Sequence, residues 1–303
     1  RRQRQMCIRD RHKAVEMMKN FRNTHKIEAD DVMTLALQFE CLGDHIVKLD
    51  TENNHSIPLN DKETSAFLDA LNDFYRQSDF RKFFDQHSDV YANGILSFYN
   101  SVVSHIDPSW YSRFYGTQPN KDLHIVIGFA SGGNYYRATR TRQGGPEEIF
   151  SIMYYAVDNN GRPLYDKSAV GTITEELCLS FIDIENNDVK TTLEKACENV
   201  HRYTREKPIA AVTDKSIMEE SLAYASAIYY LIDNGSSKKS IRKAVDEGIE
   251  RGFSWTPELI KRIYYYTENR KEFPTFASFY PEIIEFFKDY TANLGKTILK
   301  VLR

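Results

Sequence analysis

Along most of the chain apolar residues recur every three or four positions, the spacing of one helix face. CIRDRHKAVEMMKNFRN (Cys7–Asn23), DDVMTLALQFECLG (Asp30–Gly43), DKETSAFLDALNDFYRQ (Asp61–Gln77) and ANGILSFYNSVVSHI (Ala92–Ile106) all carry it. Gly43 reads as the stop of the second, and a capping cluster precedes the third. DPSWYSRFYG, with Pro108 and Gly116, closes a first 115 residues that read as helical throughout.

The rhythm then changes. DLHIVIGFA and EEIFSIMYYAV are β-branched and aromatic, which predicts strands. Between them SGGNYYRATRTRQGGP predicts a long loop or an edge hairpin, and DNNGRP after Val157 predicts a turn. Helical spacing returns at Gly171 with GTITEELCLSFIDIE, capped by Thr172 or Thr174. The charged NNDVKTTLEKACENVHRYTREK is expected to pass over the surface. TDKSIMEESLAYASAIYYLIDNG ends at Asn234-Gly235. SKKSIRKAVDEGIERG, WTPELIKRIYYYTENR and YPEIIEFFKDYTANL follow, with Pro257 and Pro281 suited to first turns. So few strands cannot form a β-domain of their own. The expected class is α+β, mostly helical, with a small sheet packed on helices. Residues 1–58 are expected to form an N-terminal helical region and 59–303 the main domain, or the two are one continuous unit.

Composition narrows the function. With 40 Lys+Arg against 43 Asp+Glu the chain carries a net charge of −3, which argues against general nucleic-acid binding. The basic run RRQRQMCIRDRHK reads as a solvated helix face, with a surface for an anionic partner as the alternative. No stretch approaches the roughly 18 consecutive apolar residues of a membrane span, so no transmembrane segment is expected. No signal-peptide pattern stands in these residues. The 19 Tyr and 18 Phe suit half-buried helix faces and grooves that face peptide or sugar. Cys7, Cys41, Cys178 and Cys197 have no metal spacing and read as free, mostly buried thiols. A Cys178–Cys197 or Cys7–Cys41 bridge stays open for an exported protein.

Candidate chemistry centres on TITEELCLSF, residues 172–181, which has the rhythm of a zinc-protease HExxH helix. In that motif two histidines four residues apart share a helix face and one ion, and the intervening Glu activates the zinc-bound water. Glu176 stands at the general-base position, while Glu175 and Leu179 stand where the histidines would. Leucine has no lone pair to give. Glu220, in SIMEESLAYASAIYY, is placed to be a second-helix carboxylate, and Glu175 with Glu220 would give at best a weak site for a hard cation. His87, His105, His124 and His201 show no ordered spacing as substitutes. No nucleophile elbow, P-loop or Cys-His pattern occurs.

The wider stretch VDNNGRPLYDKSAVGTITEELCLSFID resembles an uncharacterised, mostly exported bacterial family of metallopeptidase-like proteins reading VDxxGxPxY…TxxHEFxHSF. The resemblance extends upstream to FFDQHSDV and to GFASGGNYY, where the family tends to carry a GGGNYG-like loop. Downstream it covers AVDEGIERGFSWTPELIKRIYYYTENRKEFPTFASFYPEIIEFF, so that about residues 60–290 are involved. It implies a zincin-like fold whose HExxH-type helix has lost its histidines. Glu175 and Leu179 then hold vestigial metal positions, Glu176 the vestigial general base and Glu220 the third ligand position. Tyr224 stands where the family often has an Arg able to steady a tetrahedral oxyanion. Gly132, Gly133, Asn134 and Tyr135 would line the old substrate cleft as an edge strand able to pair with an extended peptide. A secreted, periplasmic or cell-surface location follows from the same resemblance.

The reading that results is a catalytically inactive metallopeptidase-like protein, without zinc or another cofactor, that binds a peptide, protein or glycan. One alternative is a hydrolase using Glu175, Glu176 and Glu220 as a carboxylate cluster or around a non-zinc metal. The other is a helical interaction module built on the first 115 residues.

Overall fold

The computed structural model describes residues 11–52, 59–129, 135–155, 157–159, 165, 168–182, 184, 191, 195 and 217–301. It is an α+β structure divided into two compact units. The first comprises residues 1–103 and 121–166, the second 104–120 and 167–303.

In the first unit, helices α1 (Lys13–Thr24), α2 (Ala29–Ala36) and α3 (Asp61–Gln77) enclose a small core of Ala14, Phe21, Ile27, Leu35, Phe67 and Ala70. The helix starts are locally encoded. The Asn60 side chain accepts from the Glu63 amide, and Glu63 accepts in return from the Asn60 amide, closing a capping box in front of α3. At α1 the His12 ring accepts from the Ala14 amide, while its other nitrogen lies 3.2 Å from Asp73.

The expectation of a wholly helical first 115 residues needs correction. Phe39–Leu42 (β1) and His45–Lys48 (β2) form an antiparallel hairpin. Gly43 does interrupt the helical pattern, but at φ +66° it serves the hairpin turn. Contacts distant in sequence decide the matter. The Asn72 side-chain amide both donates to and accepts from the Ile46 backbone at 2.8 Å, and the Tyr75 hydroxyl donates to the Gly43 carbonyl. Beyond α3, helices α4 (Phe80–Gln86) and α5 (Ser88–Ser101) complete the helical part of this unit.

The predicted strands form β3 (Lys121–Gly128) and β5 (Glu147–Tyr154), joined in parallel. The segment left open as loop or edge hairpin supplies β4 (Tyr136–Thr141), antiparallel to β5, so the order is β3-β5-β4. Central β5 is buried from Glu148 to Met153. Glu148 is burdened with a charge there and is compensated by Arg140, which donates to both its oxygens at 2.7 and 2.9 Å. Arg142 and His124 approach the same carboxylate at 3.4 and 3.2 Å.

The second unit is helical: α6 (Pro108–Tyr115), α7 (Ser168–Phe181), α8 (Ile217–Asp233), α9 (Lys238–Glu250), α10 (Thr256–Glu268) and α11 (Tyr280–Val301). α7 begins at Ser168, so Thr172 and Thr174 lie inside the helix and not at its cap; Thr174 is fully buried. Helix α8 is buried at every position from Glu220 to Tyr230, the signature of a central helix. α7, α9 and α10 pack around it. Aromatic side chains fill the rest: Trp110, Tyr111, Phe114 and Tyr115 of α6 are all buried, and Tyr266 donates from α10 to the Phe114 carbonyl at 2.6 Å. Cys41 is an exposed free thiol and Cys178 a buried one, held well above the ordinary thiol pKa by burial.

Hydrogen bonding from Arg140 holds the Glu148 carboxyl below the usual carboxylate range. Its stabilising contribution is therefore complete above about pH 4.3 and is lost as pH falls through the lower folded value. Glu148→Gln leaves Arg140 buried without its counter-charge and should cost about 3–5 kcal/mol at pH 7. Melting curves across pH should show the gap between parent and variant closing only in acid.

Candidate functional site

Every residue singled out around the degenerate motif lies in the second unit. Glu175, Glu176 and Leu179 sit on α7, Glu220 and Tyr224 on α8, and all five are buried. The two helices pack against each other, and the spacing of three and four residues within each helix sets these side chains on adjacent turns.

What the structure adds is Arg251, the residue just past the end of α9. Its two terminal nitrogens donate to the two oxygens of Glu175 at 2.9 and 2.7 Å, a fork-to-fork ion pair. Its guanidinium carbon lies 4.4 Å from the Tyr224 ring centre and 5.5 Å from that of Phe253. Burial alone would lower the Arg251 pKa, but bonding to Glu175 and the field of Glu175 and Glu220 reverse this and raise it. Tyr224 is pushed up to about 12, chiefly by burial, with the nearby guanidinium opposing. Its hydroxyl donates to the Ala244 carbonyl at 2.8 Å, which fixes the ring as a floor for Arg251.

Helix α9 comes this close because of one glycine. A Cβ on Gly248 would stand 2.6 Å from Tyr224 Cε1 and 3.0 Å from Thr256 Oγ1. Gly248 is thus the contact that brings the end of α9, and with it Arg251, onto α7 and α8.

These residues do not fit a zinc ion. Leu179 has no donor atom, and both oxygens of Glu175 are engaged by Arg251. Among the described residues no three His, Cys, Asp or Glu side chains converge in a metal-holding group. His124 faces Glu148 in the first unit, and His87, between α4 and α5, bonds the Phe83 carbonyl of α4. Of the expected cleft residues, Gly132, Gly133 and Asn134 lie outside the described residues; Tyr135, half-buried, directly precedes β4 in the first unit.

Sequence reasoning did not single out Arg251, although it lies in the quoted ERGFSW. Seventy-six positions separate it from Glu175, so no local periodicity links the two. The available signal was a buried carboxylate pattern on α7 and α8 that required a cation from elsewhere.

The first unit holds a separate feature, an apolar groove of about 440 Å³. One wall is Phe84 of α4 with Tyr91, Ile95, Phe98 and Tyr99 of α5; the other is Ile125, Val126 and Ile127 of β3, with Phe129. Three consecutive strand residues line it, which means β3 presents its edge to the groove rather than one face. Among the described residues β3 pairs only with β5, on its other side.

A family model described as a domain of unknown function (DUF4932) matches residues 18–286. No curated protein and no solved structure matches the chain.

Gly248→Ala would normally favour a helix interior, but here the added methyl must displace Tyr224. The variant should melt lower, at a cost of about 1–3 kcal/mol, as overpacking does. A stability equal to or above the parent protein's would refute the close approach.

Proposed function

We propose, from the premise that the chain belongs to the family described as a domain of unknown function (DUF4932), that it is a catalytically inactive metallopeptidase-like protein acting by binding an extended peptide. The reading includes a zincin-like ancestry for α7 and α8, no zinc cofactor, and a place outside the cytoplasm. One observation carries it: at the first ligand position of the helix motif, Glu175 is committed to a bidentate bond with Arg251. With Leu179 at the second position, a zinc-bound water has nothing to be bound by. Glu176, fully buried beside them, is then a general base without a nucleophile to activate.

A hydrolase built on the carboxylates is the weaker reading. Clustered carboxylates acquire a proton-holding member when their charges are uncompensated, and here a guanidinium stands among them. A peptide is favoured over a glycan because the groove beside β3 offers apolar walls and a strand edge. Backbone ladder groups and apolar pockets suit an added strand, whereas sugar hydroxyls would need polar partners.

Elemental analysis of protein dialysed against micromolar zinc should find well under one zinc per chain, and one tightly held zinc would end the proposal. For the binding role, a fluorescent end-blocked hexapeptide alternating valine with serine should bind the protein. Ile95→Lys, at an exposed position on the groove wall, should weaken it about tenfold or more, equivalent to about 1.4 kcal/mol. Equal affinity for parent and variant would remove the groove from the account.

A further inference from the structure

We infer that Arg251, whose side chain is 34% exposed at the edge of the site, is its compensating cation: its guanidinium supplies the positive charge that a metal ion supplies in a site of this helix pattern. The inference rests on the zincin-like reading above and goes beyond it, because it assigns the compensating charge to a named side chain.

Buried carboxylates are tolerated only where a cation or hydrogen bonds meet them. Glu175 and Glu220 are both buried, on α7 and α8, and Arg251 is the cation that meets the first of them. Glu175 accepts two hydrogen bonds from it, and Glu220 acts on it through its field. Glu247, one turn before Arg251 on α9, adds a third negative charge to the surroundings of Tyr224. The guanidinium is further fixed by the Tyr224 and Phe253 rings, and Tyr224 is itself locked by Ala244 and by the Gly248 approach. A salt bridge formed only to decorate a surface would have none of this support. Its carboxylate partner, Glu175, and its ring contact, Tyr224, come from the two helices that the motif pairs, and the carboxylate it grips is the one at the first ligand position.

One consequence separates this from a general loss of ligands. Restoring histidines at 175 and 179 removes Arg251's partner and leaves its charge facing the incoming ion. Like charges at short range in a partly dry site repel even at an effective dielectric near 20. Zinc should therefore return only when the arginine charge is also removed.

The test compares four full-length proteins for zinc affinity by competition with a chromophoric chelator, with thermal melting to establish that each is folded. They are the parent, Glu175→His/Leu179→His, and that double variant with either Arg251→Ala or Arg251→Lys. Should the alanine variant prove unfolded, Arg251→Met replaces it, keeping the aliphatic contact with Tyr224. The expected result is one zinc per chain in the alanine or methionine triple variant, bound at least about tenfold more tightly than in the double variant or the lysine triple. If the double variant binds as tightly as the alanine triple, Arg251 is not the cation's replacement, while the zincin-like reading stands. If the lysine triple matches the alanine triple, the effect is one of shape, not charge, and the inference also falls. If no variant binds zinc, the zincin-like reading itself fails and takes the inference with it.

Discussion

A carboxylate held in a helical interior must find a cation, and in the second unit that requirement is met by the bidentate pair of Glu175 with Arg251. Much of the local arrangement follows from it. Arg251 has to reach α7 from the end of α9, so α9 must run close against α8, and Gly248 provides the room. Tyr224 then serves twice, as a packing surface for α9 and as a ring beneath the guanidinium. Removing Arg251 leaves the buried Glu175 carboxylate without its cation, whereas Arg251, 34% exposed, keeps access to water.

On the proposed reading, the same arrangement would let a zincin-like pair of helices keep its packing without a metal ion. A metal ion does structural work in addition to catalysis, because it binds together side chains that would otherwise repel. An arginine can do the structural part, with directional hydrogen bonds in place of coordination, but it has no open position for water and cannot lower a water pKa as zinc does. In the first unit the logic differs: Glu148 and Arg140 neutralise one another across adjacent strands, and an apolar groove lies beside β3.

Much of this was legible in the sequence where the information is local. Helix α3 spans Asp61–Gln77, the stretch its periodicity and cap predict, because Asn60 and Glu63 satisfy its first amides without outside help. Helix α8 was equally plain, with its stop at Gly235, φ +69°. The β1–β2 hairpin was not. FECLGDHIVK fits either a helix end or two short strands, and the choice is made by Asn72 and Tyr75 from α3. At the candidate site, motif spacing set Glu175 and Leu179 on one helix and Glu220 on another, but the Arg251 that bonds Glu175 could not be read from it. An ion pair across 76 residues leaves no trace in a helical pattern, and Arg251 resembles any solvated arginine until α9 is docked.

The most direct measurement is a double-mutant cycle on the unfolding free energy of the intact chain, using Glu175→Ala, Arg251→Ala and the two combined. The account predicts a coupling of about 1–3 kcal/mol at low salt, with the combined variant less destabilised than the two singles summed. A coupling near zero would show that the two side chains ignore one another, and the claim that Arg251 compensates this site would be contradicted.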